Sequence, residues 1–396
     1  MSLPLEGIRV LSVEQYGAGP FASLYLANMG ATVIKIEAPG SGDNSRQSGP
    51  YFLGENDSHF FQTFNRSKRS LSLNLKHEDG KNIFLKLASS SDAVMNNLRG
   101  DKPDELGLTY SALKALNQSI VCLHISGYGR KGSRASWPAY DYLLQSEAGF
   151  IDLTGEPSGP SSRMGLSIID YLSGITAAFS VTAALLGAVR TGKGRDVDVS
   201  LYDVAMHQLT YPATWYLNEG SAIERRPRSG HPSVVPCEII PTADGHIFVM
   251  CVLPKFWEQL CSQAGLPNLP EDPLFKTPFL RYQNRNKLME ILDSAFSNYT
   301  TKEWISRLAG KVPAAPILTL SEALDSPYAK EADVIETLEH PQKPSGLRFT
   351  ASPILIDGKR LKGKRAPSLG ENTDEILAEL GYSKSNICEF RSKGVI

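Results

Sequence analysis

Ile8-Arg-Val-Leu-Ser-Val13-Glu14-Gln15-Tyr16-Gly17-Ala18-Gly19-Pro20-Phe21-Ala22, followed after a helical stretch by Thr32-Val-Ile-Lys-Ile-Glu37, is the run on which the fold turns. Residues 8–13 are a short apolar run stopped by a glycine-rich turn, residues 21–29 carry helical spacing, and residues 32–37 are a second apolar run. That order is a βαβ unit. Pro20 suits the first helical position, where a missing N–H costs nothing. Gly17-Ala-Gly19-Pro-Phe-Ala22 satisfies the literal G-x-G-x-x-G/A pattern of dinucleotide sites, and Glu37 stands where a ribose-binding acid is expected. Taken alone, the run therefore points to an NAD-dependent oxidoreductase. A tight strand-to-helix turn favours glycine for structural reasons as well.

Outward from that unit the alternation continues. Residues 80–89 read as an amphipathic helix, 93–96 as a strand, 110–115 as a helix and 120–126 as a strand ending in Gly127-Tyr-Gly129. This predicts an α/β fold with a mostly parallel sheet covered on both faces. Ligands of such sheets gather at the carboxyl ends of strands, so the loops at Gly17, Asn97 and Gly127 are expected to share one crevice. Between strands, residues 39–56 form a long polar excursion, and Asn65-Arg-Ser-Lys68-Arg69-Ser70 is a basic turn feeding Leu71, Leu73 and Leu75. That cluster is either a solvated turn or a phosphate grip.

From Arg163 to Gly194 the chain is apolar on nearly every side, rich in alanine and dotted with Gly174, Ser180 and Gly187. This predicts a helix over 168–189 enclosed all round, approached closely by its neighbours. Asp170 is the only formal charge between Met164 and Arg190. It falls in the first turn, where unpaired N–H groups and the helix dipole are expected to keep it ionised. Its two readings are a first-turn cap and a carboxylate nucleophile shielded from water.

Composition bounds the rest. With 396 residues, 41% hydrophobic and 21% charged content, the chain is an ordinary globular protein of more than one domain. A net charge of -1 without long like-charge runs excludes a polybasic nucleic-acid or lipid surface and points to a small-molecule partner. Five scattered cysteines without a C-x-x-C pair give neither a disulfide framework nor a metal site. With no leader-like segment, and with the Ala-rich helix read as interrupted and short of a bilayer span, the expectation is a cytoplasmic protein. Past Thr210 the composition changes, and Glu224-Arg-Arg-Pro-Arg-Ser-Gly230-His231-Pro232 is read as a linker to a smaller domain. The divisions expected are 1–224, 225–330 and a final segment 331–396 returning to the first domain.

In combination these motifs resemble family III coenzyme A transferases, the CaiB/BaiF group that includes formyl-CoA transferase. The match rests on Leu5-Glu-Gly-Ile-Arg-Val-Leu11, Ala18-Gly-Pro20, residues 31–37, Gly42-Asp43 with Arg46, residues 65–71, Gly127-Tyr-Gly129, Tyr140-Asp141, Asp170, Thr191-Gly-Lys-Gly194, Asp244-Gly245 and Leu369-Gly370. It displaces the dinucleotide reading, because in that family the first turn binds CoA. The resemblance implies a Rossmann-like large domain, a smaller α+β domain and an interlocked, ring-shaped homodimer. It also implies acyl-CoA as substrate with no permanently bound cofactor and no metal.

The resemblance further implies Asp170 as the nucleophile, cycling through a mixed anhydride and an aspartyl-CoA thioester. Tyr16, Gly17 and Ala18 fall where the family holds the adenine end of CoA, Leu73 and Lys76 where it holds nucleotide and phosphate, Asn97 and Leu98 on the pantetheine side, and Tyr140 near the thioester. Against the formyl-CoA transferase pattern, Gly17 stands for a glutamine, and Ala38 and Glu105 stand for arginines, so Arg46, Lys68, Arg69 or Arg99 is expected to rebuild the phosphate grip. Gly230-His231-Pro-Ser233 replaces a glycine loop and is closer to transferases of dicarboxylic acids, with His231 a candidate for the second carboxylate. Succinyl-CoA with itaconate, mesaconate, glutarate or citramalate is the expected pairing. The alternatives are a 2-methylacyl-CoA racemase, whose His-Asp pair corresponds to Tyr140-Asp141, a non-catalytic CoA-binding protein, and the oxidoreductase.

Overall fold

The computed structural model describes residues 2–396. The chain divides into two compact units, the larger holding the residues up to Ala148, Gly165–Leu209 and Lys330–Ile396, the smaller Gly149–Met164 and Thr210–Ala329. The crossing thus lies after Leu209, not after residue 224, and residues 149–164 leave the large unit earlier. The charged, turn-rich run that gave the later boundary is a loop inside the smaller unit. There Arg225 donates to the carbonyls of Glu156 and Gly159, and Arg228 makes a two-point bridge to Asp293.

The larger unit is built on six parallel strands: β1 (Arg9–Val13), β2 (Thr32–Glu37), β3 (Arg69–Ser72), β4 (Ala93–Asn96), β5 (Val121–Ser126) and β6 (Arg195–Ser200), in the order β3-β2-β1-β4-β5-β6. Leu11 lies between Ile34 and Val94, and Leu123 sits beside Val197. Because successive side chains of a strand point to opposite faces, Leu11, Ile34, Leu71 and Val94 pack together on one face with Phe84 and Leu87. Ile376, Leu377 and Ile387 from the last segment join that core. The strand order reverses between β1 and β4, where ligands of open α/β sheets bind.

On the other face α1 (Ala18–Asn28) packs against α2 (Ile168–Thr191). A Cβ at Gly174 would stand 2.9 Å from the Ala18 carbonyl oxygen and 3.1 Å from Phe21 Cβ, so the missing side chain sets how closely the helices approach. The expectation of total enclosure fails within one chain. Ile169, Ala177, Val181 and Leu185 are buried, whereas Ile175, Phe179, Leu186 and Val189 are 44%, 74%, 60% and 75% exposed. At 24 residues α2 is also long and apolar enough to cross a bilayer by length and composition, which corrects the shorter reading. Its buried face belongs to the core of the unit.

The smaller unit has three antiparallel strands, β7 (Cys237–Pro241), β8 (His246–Met250) and β9 (Ala314–Pro316), with β8 central. Helices Pro254–Gln263, Arg285–Phe296 and Thr301–Leu308 enclose Ile247, Val249, Trp257 and Trp304 with them. The Trp304 ring stacks 4.0 Å from Phe296 and donates its N–H to the Phe296 carbonyl.

Two glycines leaving α2 make separable demands. Gly192 ends the helix at φ 68°, while a Cβ at Gly194 would fall 1.8 Å from the Ile120 carbonyl oxygen. Gly194→Ala is expected to lower unfolding free energy by about 3 kcal/mol, the upper end for overpacking. Gly192→Ala is expected to cost about 1–2 kcal/mol, the left-handed backbone penalty. Urea unfolding followed by circular dichroism measures both.

Candidate active site

Loops following β1, β4 and β5 line one cavity of about 230 Å³ at the reversal point. The first loop contributes Gln15, Tyr16, Gly17 and Ala18, the second Asn97, Leu98 and Arg99, and the third Ser126 and Gly127. The crevice expected from strand order is therefore formed. Trp137, Tyr140 and Asp170 complete its wall.

Asp170 sits in the first turn of α2, yet it is not the group that caps the helix. Asp141 Oδ2 accepts from the Ile169 N–H at 2.6 Å and from the Asp170 N–H at 3.0 Å, while its other oxygen accepts from Gln145 Nε2. The helix end thus stabilises Asp141. Asp170 is left with desolvation and a neighbouring negative charge, which together raise its carboxyl from 3.8 to about 7. This reverses the expectation of a firmly ionised acid. Sequence spacing placed one acid at the helix start, but it gave no sign that a buried acid 29 residues earlier takes the N–H groups.

Gly17 has a defined part in this geometry. A Cβ there would lie 2.5 Å from Asp170 Oδ2, so the carboxylate rests against bare backbone. Gly17 is also the N-cap of α1, and among the described residues the Ala18 and Gly19 N–H groups have no acceptor. Ala18 lines the cavity, which therefore combines a carboxylate with an unpaired backbone donor, the pair of functions that acyl transfer requires. Asn97 holds this loop, accepting from the Gln15 N–H at 2.9 Å and donating to the Gln15 carbonyl at 2.7 Å.

The expected phosphate-binding cations are mostly engaged elsewhere. Arg46 is fully buried, bonded through Nε and Nη2 to the two oxygens of Glu37 at 2.8 Å each, with Phe61 3.6 Å away. Glu37 also accepts from Ser70 Oγ and the Asp43 N–H, so it has no free oxygen to offer a ribose. The acid that supported the dinucleotide reading is a structural ion-pair partner. Lys68 is buried on Glu14, Asn65 and the Pro20 carbonyl, and burial lowers its amine to about 8. Arg69 bridges to Glu379.

Of the remaining candidates, Arg99 is exposed at the cavity and paired with Asp101. Lys76 is exposed beyond β3 without a salt-bridge partner among the described residues. The Leu73 side chain is in the core, its N–H bonded to the Glu37 carbonyl. Tyr140 is 65% exposed. Gly230 and His231 belong to the smaller unit, where His231 Nδ1 accepts from the Ser233 and Val234 N–H groups and Nε2 lies 3.3 Å from the Tyr211 hydroxyl. Burial lowers the His231 imidazolium below its ordinary value, which matches a neutral ring with its proton on Nε2.

The family model described as CoA-transferase family III matches residues 5–373. A succinate–glutarate CoA-transferase from Agrobacterium fabrum is 32% identical over 384 residues, covering 95% of this chain and 96% of that protein. A succinyl-CoA:mesaconate CoA-transferase from Haloarcula hispanica is 30% identical over 386 residues, covering 95% and 96%. The crystal structure of a CaiB/BaiF family protein from Brucella suis matches with a TM-score of 0.82 at 30% identity, over 96% of this chain and 100% of that one. Matched along nearly its whole length by model, relatives and structure alike, the chain belongs to CoA-transferase family III.

Proposed function

We propose that the protein moves CoA from succinyl-CoA to a short dicarboxylic acid, with Asp170 as the covalent carrier. The observation that carries this reading is the Asp170 carboxylate lying against Gly17, in the same cavity as Ala18 with its unpaired N–H. The carboxylate attacks the thioester carbonyl, the C–S bond breaks, and CoA thiolate leaves from a mixed anhydride. Thiolate then attacks the aspartyl carbonyl of that anhydride, releasing the donor acid and forming an aspartyl-CoA thioester. The acceptor carboxylate attacks this thioester, giving a second anhydride and thiolate again. Thiolate finally attacks the acceptor's acyl carbon, and Asp170 returns as carboxylate. No net proton is consumed, and acyl activation is retained provided water is kept out.

The names of the Agrobacterium and Haloarcula relatives support a dicarboxylate pair. A neutral His231 with its Nε2 proton is a suitable donor to a second carboxylate. Of the residues expected along CoA, Tyr16, Ala18, Asn97, Leu98 and Tyr140 line the same cavity as Asp170, and of the cations expected to grip phosphate Lys76 and the Asp101-paired Arg99 are at the surface. The exposed apolar seam of α2 supports a second copy of the chain as its cover, and the free cysteines support a reducing, cytoplasmic setting. The racemase reading requires an acid–base pair where Tyr140 and Asp141 stand. A tyrosine stands where that pair needs a histidine, and Asp141 is bound to the helix end.

Asp170→Asn is expected to reduce transfer roughly a thousandfold or more, and intact-mass analysis is expected to find a hydroxylamine-trappable adduct in the native protein and none in the variant. The folded protein holds the Asp170 proton more tightly than the unfolded chain. Ionisation therefore destabilises the fold, increasingly from pH ~4 and fully above pH ~7, by at most roughly 4 kcal/mol. The Asn variant should accordingly melt higher than the native protein at pH 8, with the difference fading toward pH 4.

kcat/KM for the acyl-CoA is expected to rise with pH through about 7 as Asp170 ionises. Asp141→Asn keeps an oxygen for the helix N–H groups but removes the charge, and is expected to move that limb down by roughly one unit. A pH–rate profile that does not move refutes this coupling. For the acceptor, a mass-spectrometric panel of acids should favour short dicarboxylates, and His231→Ala should raise their KM about tenfold while leaving monocarboxylates unchanged.

A further inference from the structure

Tyr16 occupies the left-handed region at φ 61°, where bulky side chains are rarely found, and it forms part of the cavity wall. Such a residue persists when its surroundings over-determine it, and strain of this kind gathers at functional sites. Its N–H donates to Asp43 Oδ1 at 3.2 Å, an oxygen that also accepts from the Ser45 N–H at 2.8 Å. Asp43 Oδ2 lies 2.9 Å from Lys35 Nζ, and both side chains are fully inaccessible. Lys35 Nζ in turn donates to the Glu14 main-chain carbonyl at 2.9 Å. The three residues before Gly17 are thus gripped through their main chain: Glu14 by Lys35, Gln15 by Asn97 and Tyr16 by Asp43.

Burying an ion pair is not in itself a route to stability, since an apolar pair of similar volume often does as well. The Lys35–Asp43 pair is nonetheless retained directly beneath a strained loop whose next residues are Gly17, Ala18 and Gly19. We propose that Lys35 and Asp43 are positioning residues for CoA transfer: their ion pair holds Tyr16 in its left-handed conformation and so aims the Ala18 N–H at the carbonyl that Asp170 attacks. This rests on the acyl-transfer role of Asp170 proposed above. Neither side chain touches substrate. Without the grip, Tyr16 relaxes to an ordinary backbone conformation and the Ala18 N–H turns away from the developing oxyanion.

Lys35→Met with Asp43→Leu removes both charges and leaves the Glu14–Lys68 pair in place. This double variant is expected to fold and to bind CoA within about threefold of the native affinity by calorimetry, while kcat falls roughly thirtyfold, within the range for one lost oxyanion donor or less. Asp43→Asn, which keeps an acceptor for the Tyr16 N–H, is expected to lose less. Tyr16→Gly adopts φ near +60° without strain, so adding it to the double variant should restore saturated kcat to within about threefold of Tyr16→Gly alone, with a raised KM. A double variant that melts lower but turns over at the native rate overturns the inference, and so does a folded, slow double variant that glycine does not rescue. If the double variant does not fold, Asp43→Asn with and without Tyr16→Gly decides by the same rescue. Adduct formation on Asp170 of the native protein separates the two levels: no adduct refutes the acyl-transfer reading itself, whereas an adduct formed equally fast in native and variant proteins refutes only the positioning role.

Discussion

The close contact between the starts of two helices is the constraint from which the rest of the site follows. Gly17 lets the Asp170 carboxylate lie against the first turn of α1, and Gly174, one turn further along α2, leaves the Ala18 carbonyl and Phe21 about 3 Å from where a Cβ would stand. Any side chain at either place forces the helices apart. The Ala- and Gly-rich character of α2 is thus a condition for bringing an acid and an unpaired backbone donor into one cavity. The strand reversal beside β1 supplies the opening, and the packing of small residues supplies the distance.

Much of this was legible from residue types. The βαβ start, the parallel sheet and the convergence of the loops at Gly17, Asn97 and Gly127 follow from alternation of apolar runs with helical spacing, and the structure has them. What could not be read is which polar group pairs with which. Arg46 and Lys68 look like free cations in a linear chain, yet folding sets Glu37 and Glu14 directly against them. Glu37 looked like a ribose ligand for the same reason. The placement of Asp170 at a helix start was correct, but its charge state depends on Asp141, whose capture of the helix N–H groups is a tertiary contact without a sequence signal. Periodicity showed that α2 is apolar on all sides without telling whether its cover comes from the same chain. Ile175, Phe179, Leu186 and Val189 recur at spacings of three, four and seven, the signature of a helix seam awaiting a partner surface.

The large unit sorts its charges into two populations. Glu14, Lys35, Glu37, Asp43, Arg46 and Lys68 are inaccessible and matched three against three beneath the first loop. Asp43 and Glu37 are both held below the ordinary carboxylate range despite burial, by Lys35 and Arg46 respectively. Asp170 belongs to the other population. Desolvation and Asp141 raise its carboxyl, and no cation near it opposes them. A rigid, fully paired foundation thus supports one unpaired acid.

A carboxylate with ordinary acidity is a poor nucleophile toward a thioester and a good leaving group from an anhydride, so it would capture the acyl group slowly and lose it quickly. Raising the carboxyl to about 7 increases its basicity and hence its nucleophilicity, yet leaves about half of it ionised at neutral pH. A larger shift would protonate the proposed nucleophile, and a smaller one would return it to the weak end of the scale. A guanidinium beside Asp170 would favour the second outcome, because it would pull the carboxyl down and hold the oxygens. The unpaired N–H of Ala18 avoids that conflict. In the proposed mechanism it is a neutral dipole that meets the oxyanion as it forms while leaving the resting acid its basicity.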